Sequence, residues 1–305
     1  MTPTYEQLKA QLDRGEILLL DGGIGTEMLR RGVTWEGHKV ESHPDAIRAI
    51  HADYIAAGAD VITTNTFQLT RRSFLNHFRD LAHLRRIGAE GLGGRASVLL
   101  REAVARAREA RAQAAGGRPV AIAGAVTTLE WCFRPDLAPP LEQARAEHRE
   151  TVRALMAAGV DLILVETMNA VGEARVALEV AREQGVPAWV SFVCREDGCL
   201  LGGEPVAEVA RALGPLEPDV LLFNCAPPPD VTRALGELRR CWAGPMGAYP
   251  HVGRFDPPDW QFTDEYPPER YLACAREWVA LGARVVGGCC GTTPEHIRAL
   301  SRLRR

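Results

Sequence analysis

The chain repeats one phrase: a short apolar run rich in Val, Ile and Leu, a Gly, Pro or polar stop, and then a longer stretch with helical spacing. Eight such runs occur, at Ile17 to Gly22, Asp60 to Phe67, Val120 to Val126, Asp161 to Thr167, Ala188 to Cys194, Val220 to Ala226, Pro245 to Pro250 and Arg284 to Cys290. Nearly continuous apolar runs suit strands covered on both faces, as in a parallel sheet with helices outside it. Helical spacing fills the intervals, over Asp45 to Ala57, Ala89 to Ala115, Leu141 to Ala158, Gly172 to Gln184, Pro205 to Leu213, Asp230 to Arg240, Pro268 to Leu281 and Pro294 to Arg304. Eight βα units predict an α/β protein, a single (β/α)8 TIM barrel forming one domain over residues 1–305.

Three of the units share a helix ending. Ala57-Gly58-Ala59-Asp60, Ala158-Gly159-Val160-Asp161 and Leu281-Gly282-Ala283-Arg284 each place a glycine between helix and strand, where a left-handed cap is expected. The polar stretch from Gln68 to Gly94, with Arg71, Arg72, His77, Arg85 and Arg86, reads as a long connection, and long barrel loops tend to carry function. The Ala/Arg tract from Arg101 to Ala115 reads as a solvated helix.

Composition excludes several functions. With 36 basic and 39 acidic residues the formal charge is −3, so no broad field attracts nucleic acid or an anionic membrane. The apolar runs are too short to span a bilayer, and the opening segment lacks the layout of a secretion signal. A cytoplasmic location follows, in which the eight cysteines stay reduced and available to a metal. Self-association is left open.

In barrels the chemistry gathers at the carboxyl ends of the strands. Here those ends read Asp21-Gly22-Gly23-Ile24-Gly25-Thr26, Thr64-Asn65-Thr66-Phe67, Glu166-Thr167, Asn224-Cys225 and Gly287-Gly288-Cys289-Cys290-Gly291. Cys225, Cys289 and Cys290 would therefore share one rim with two carboxylates. Zinc takes thiolates in a tetrahedral shell, and three protein ligands leave a fourth position for substrate, which marks a catalytic site. Adjacent cysteines can share a metal only if the chain turns between them, and Gly287, Gly288 and Gly291 permit that. Thr292-Thr293-Pro294-Glu295 then reads as a capped helix start. A site of this kind would keep a small thiol deprotonated, for attack on a methyl donor. Asp21 and Glu166 could hold the ammonium group of an amino-acid substrate, and amides around Gly22 and Gly23 its carboxylate. By themselves, Asp21 reads first as a turn or cap residue before glycines and Glu166 as a solvated strand end.

Taken together, DGGIGT at 21–26, SHPDAIRAIHADYIAAGADVITTNTF at 42–67, VET at 165–167, NC at 224–225 and GGCCGTTPEHI at 287–297 resemble the homocysteine S-methyltransferase family. The resemblance covers nearly the whole chain. It implies a (β/α)8 barrel, zinc on Cys225, Cys289 and Cys290, homocysteine held by groups including Asp21 and Glu166, and methionine as product. Thr167 stands where the betaine-dependent members carry a tyrosine, which argues against betaine. The chain has no room for the folate and cobalamin modules of methionine synthase. A sulfonium donor, S-methylmethionine or S-adenosylmethionine, is therefore expected, with betaine or a methylated corrinoid as alternatives.

Asn65 and Thr66 are further candidates to line the substrate pocket. Trp35, Trp131 and Phe133 fall in expected loops and could face a sulfonium cation, or simply pack there. His51 and His296 lie at helical positions and read as packing or surface residues, and Cys132, Cys194, Cys199, Cys241 and Cys274 as small apolar side chains or bystanders. Two other functions fit the residues alone: a non-catalytic zinc- or thiol-binding barrel, and a lyase or aldolase using Asp21 and Glu166 as acid and base, which would survive removal of zinc.

Overall fold

The computed structural model describes residues 1–34, 39–73, 81–256 and 259–304. Seven parallel strands run in order: β1 (Leu18–Leu19), β2 (Val61–Thr63), β3 (Ala121–Val126), β4 (Leu162–Met168), β5 (Ala188–Phe192), β6 (Val220–Asn224) and β7 (Met246–Tyr249). A small antiparallel hairpin follows, β8 (Arg254–Asp256) with β9 (Asp259–Gln261), and the eighth barrel strand is β10 (Ala283–Val286). The sheet order is β1-β10-β7-β6-β5-β4-β3-β2, and a parallel bridge from Leu20 to Val61 closes it into a barrel.

Strand alternation divides the apolar residues. Leu18, Leu20, Val61, Ala121, Ala123, Leu162, Leu164, Trp189, Val220, Leu222 and Val285 fill the interior, while their neighbours pack outward under the helices. The bottom of the barrel is plugged by a helix the sequence reading did not include, α1 (Pro3–Asp13), which inserts Tyr5, Leu8 and Leu12. Trp189 Nε1 donates to Tyr5 Oη at 2.8 Å, so the largest interior side chain is satisfied from below.

The shared helix endings behave as expected. Gly58, Gly159 and Gly282 have φ of 114°, 92° and 111° and cap α2 (Pro44–Ala57), α3 (Leu141–Ala158) and α4 (Pro268–Leu281). The aspartates after two of them also have a use: Asp60 accepts from the Leu19 amide and Asp161 from the Ile122 amide, each at 2.8 Å. Asp219 repeats the device on Ala188 at 3.0 Å, so the carboxylate before each of β2, β4 and β6 pins the start of the preceding strand.

Two expectations need correction and a third gains detail. β10 ends at Val286, so Gly287 to Cys290 leave the sheet instead of extending it. A helix runs over Leu81–Ala114, so the connection expected across 68–94 is much shorter; Arg85 and Arg86 lie on that helix, and His77 lies outside the described residues, as does Trp35. His296 is a packing residue, buried and edge-on to Tyr271 at 5.4 Å, and it has a further role: its Nδ1 accepts from the Thr293 amide at 3.1 Å, completing the capping box that opens the last helix at Pro294. No helix among the described residues is long and apolar enough to cross a membrane.

Candidate metal centre and acceptor site

Cys225, Cys289 and Cys290 converge. Their Sγ atoms all lie within 4.8 Å of one another, with Cys289 and Cys290 separated by 4.0 Å, and all three are free thiols. Each cysteine reaches this point by leaving the strand pattern. Cys225 follows β6 and has φ of 52°, a left-handed conformation that non-glycine residues seldom adopt. Cys289 and Cys290 sit in a loop whose amides bond to neighbouring strand ends, Cys289 N to Pro250 O at 3.0 Å and Gly288 N to Asp21 O at 2.9 Å.

The first and last strand ends build this loop jointly. Gly291 N donates to Thr26 Oγ1 at 2.8 Å, Thr292 Oγ1 donates to Cys289 O at 2.6 Å, and Tyr54 Oη donates to Thr292 O at 3.1 Å. At Gly291, φ is 83° and a side chain would collide with Val252 O. These contacts explain the DGGIGT and GGCCGTT phrases as one interlocking unit rather than two motifs.

Three thiols this close perturb each other's ionisation. Hydrogen bonds with Cys225 and Cys289 hold the Cys290 thiol well below its usual range, while those with Cys289 and Cys290, and then burial, push Cys225 well above it. Cys289 is favoured as thiolate by Cys225, yet Cys290 and burial push it up to about 12. Such a set can hold all its protons off only beside a cation, and three thiols aimed at one point are the donor set of a thiophilic metal.

Two buried carboxylates stand next to the thiols. Burial pushes Asp21 up to about 7, against the Thr63 amide and hydroxyl that donate to its two oxygens at 2.7 and 3.0 Å. Burial, then the Cys289 thiol and the Asp21 charge, push Glu166 up to about 8, opposed by Tyr249 Oη, which donates to Oε2 at 3.4 Å. Among the described residues neither carboxylate forms an ion pair, so no protein cation offsets the burial that disfavours the charge on each.

The remaining candidates are placed as follows. Thr66 is buried, and its hydroxyl donates to Ala125 O at 2.9 Å and meets Thr64 Oγ1 at 2.8 Å, fastening β2 to β3. Asn65 is partly exposed beside it. The Gly23 amide points at Thr292 Oγ1 at 3.3 Å, and side chains on Gly22 or Gly23 would collide with Thr292 and with Cys289 O. Trp131 and Phe133 are 50% and 44% exposed on the loop after β3, with Cys132 buried between them and its thiol pushed up to about 12 by burial. Asn224, Ser191, Tyr249 and Thr63 carry no signal in the sequence beyond their place near strand ends, yet all contact site residues or each other.

A protein-family model described as homocysteine S-methyltransferase matches residues 18–303. Among curated proteins, the homocysteine S-methyltransferase of Escherichia coli is 32% identical, with 96% of this chain and 97% of that protein covered. Homocysteine S-methyltransferase YbgG of Bacillus subtilis is 29% identical, covering 95% of each. The crystal structure of the homocysteine methyltransferase MmuM from Escherichia coli, in its metallated form, superimposes with a TM-score of 0.80 at 29% identity over 97% of this chain and 99% of that one. The carboxyl transferase domain of Rhizobium etli pyruvate carboxylase, at 12% identity and a TM-score of 0.54, shares the fold alone. With the family model spanning almost the whole barrel and the three cysteines gathered at its rim, the chain belongs to the homocysteine S-methyltransferase family.

Proposed function

We propose that this protein transfers a methyl group from a small sulfonium donor to the thiol of homocysteine, giving methionine, with zinc held by Cys225, Cys289 and Cys290. The observation that carries the reading is the convergence of three free thiols and two unpaired buried carboxylates on one barrel rim. A zinc ion bound there would keep the acceptor sulfur ionised at neutral pH.

The protein's own residues supply the rest. The ammonium group of homocysteine, set against Asp21 and Glu166, offsets one negative charge and so favours ionisation in a buried pair where the Asp21 charge pushes the Glu166 carboxyl up. Because the Gly23 amide is directed at Thr292, the substrate carboxylate is assigned to the neighbouring amide of Gly22. The acceptor sulfur then forms a bond to the methyl carbon as the donor carbon–sulfur bond breaks, its electron pair leaving with the donor sulfur. The step needs no general base; alignment and exclusion of water set its rate. Trp131 and Phe133, exposed on the same rim, suit the approach of a cationic donor.

The test is to give zinc-loaded protein homocysteine with S-methylmethionine, S-adenosylmethionine, betaine or methylcobalamin in separate reactions. Methionine is expected from a sulfonium donor. Methionine from none of the four would overturn the proposal, and methionine from betaine or methylcobalamin alone would overturn the donor assignment.

A further inference from the structure

Resting on the metal and acceptor reading above, we infer that Asn224 is a positioning residue whose amide locks the ends of β4, β5 and β6 and thereby aims Cys225 at the metal centre. Asn224 is fully buried as the last residue of β6. Its Oδ1 accepts from Ser191 Oγ at 2.7 Å and from the Thr167 amide at 3.2 Å, and its Nδ2 donates to Thr167 Oγ1 at 2.9 Å. These bonds join three neighbouring strands, and on the next strand Tyr249 Oη donates across the site to Glu166 Oε2 at 3.4 Å.

The backbone shows what this amide has to hold. On β6, Val220 and Leu222 face the barrel interior and Leu221 and Phe223 face outward. Regular alternation would send Cys225 outward with Leu221 and Phe223, away from Cys289 and Cys290. The left-handed φ of 52° at Cys225 turns it back. Thr167 does the same on β4, with φ of 57°, where the register with β5 slips between Val165 and Met168. A β-branched residue in that region is strained, and its amide is lost to the ladder. Asn224 Oδ1 accepts the displaced amide, so removing the side chain leaves a buried N–H unpaired and releases both strained residues toward the regular strand.

The test compares Asn224→Ala, Thr167→Val and Ser191→Ala with the parent chain. Metal affinity is read by competition with a chromophoric chelator, and site geometry by the absorption of the cobalt(II)-loaded protein. Asn224→Ala is expected to bind metal about 10- to 100-fold more weakly with an altered thiolate-to-cobalt band. Thr167→Val, which keeps the amide contact, should lose less, and the Asn224→Ala, Thr167→Val double variant should be no worse than Asn224→Ala alone. A merely structural residue would lower the melting temperature and leave affinity and spectrum as in the parent; that result overturns the inference. Should Asn224→Ala fail to fold, Ser191→Ala is read in the same way, weaker binding supporting the inference and unchanged binding overturning it. A parent chain that binds neither zinc nor cobalt overturns the metal reading itself, a different outcome from a parent that binds and a variant that binds equally well.

Discussion

Gly23 and Cys289 meet backbone to backbone: a Cβ on Gly23 would stand 2.7 Å from the Cys289 carbonyl oxygen and 2.9 Å from the Cys290 Cα. The loop after the first strand is thus one wall of the loop that carries two of the thiols. Neither atom can give way without moving main chain, so the contact couples the DGGIGT phrase to the cysteines directly.

From this follows the effect of Gly23→Ala. The added methyl must displace the Cys289–Cys290 loop, at a cost of about 1–3 kcal/mol in stability and about 10-fold or more in metal affinity. Chelator competition on the purified variant checks it, and parent-like affinity would show that the two loops are not coupled.

Glu166→Gln has a pH signature. The Glu166 carboxyl titrates at about 8 in the folded chain against an ordinary 4.5, so between those values the folded state holds the extra proton. Its favourable contribution is complete below the ordinary value and is lost as pH rises through about 8. Glutamine does not titrate. Metal-free Glu166→Gln should therefore melt close to the parent at about pH 5 and on the order of 2 °C or more above it at about pH 9. The same variant should bind homocysteine about 10-fold or more weakly, having lost a charge-assisted contact. A stability gap that narrows with rising pH would contradict the assignment.

The bottom of the barrel should matter to stability alone. Tyr5→Phe leaves the Trp189 indole N–H buried without its acceptor, which costs about 1–3 kcal/mol. Because the chemistry lies at the opposite end, kcat at saturating substrate should stay within about twofold of the parent. Thermal melts and steady-state kinetics separate the two; a large fall in kcat at a temperature where the variant is folded would place Tyr5 in the catalytic machinery.

Much of this architecture was legible because strands buried on both faces are continuous apolar runs and helices are not. The eight runs, the left-handed glycines at 58, 159 and 282, and the Thr293-Pro294 helix start all follow from local rules. What escaped was set by partners distant in sequence. Tyr5, Leu8 and Leu12 have helical spacing, but nothing local says that they plug a barrel. The polar stretch from Gln68 to Gly94 reads as a long connection, yet the helix expected from Ala89 begins at Leu81. Asn224 looks like the last polar residue of a strand, and only the fold reveals that its amide meets Thr167, 57 positions away. The cysteines were found because thiols in a glycine-rich loop carry their chemistry on their face, whereas their aiming is a matter of backbone φ, which composition does not record.

The central claim is that Cys225, Cys289 and Cys290 hold one catalytic metal. Its most direct test is elemental analysis of the purified chain alongside a Cys289→Ala, Cys290→Ala double variant, with circular dichroism to confirm that the barrel is intact. The account predicts about one zinc per parent chain and essentially none in the variant. A folded double variant that retains its full complement of zinc would contradict it.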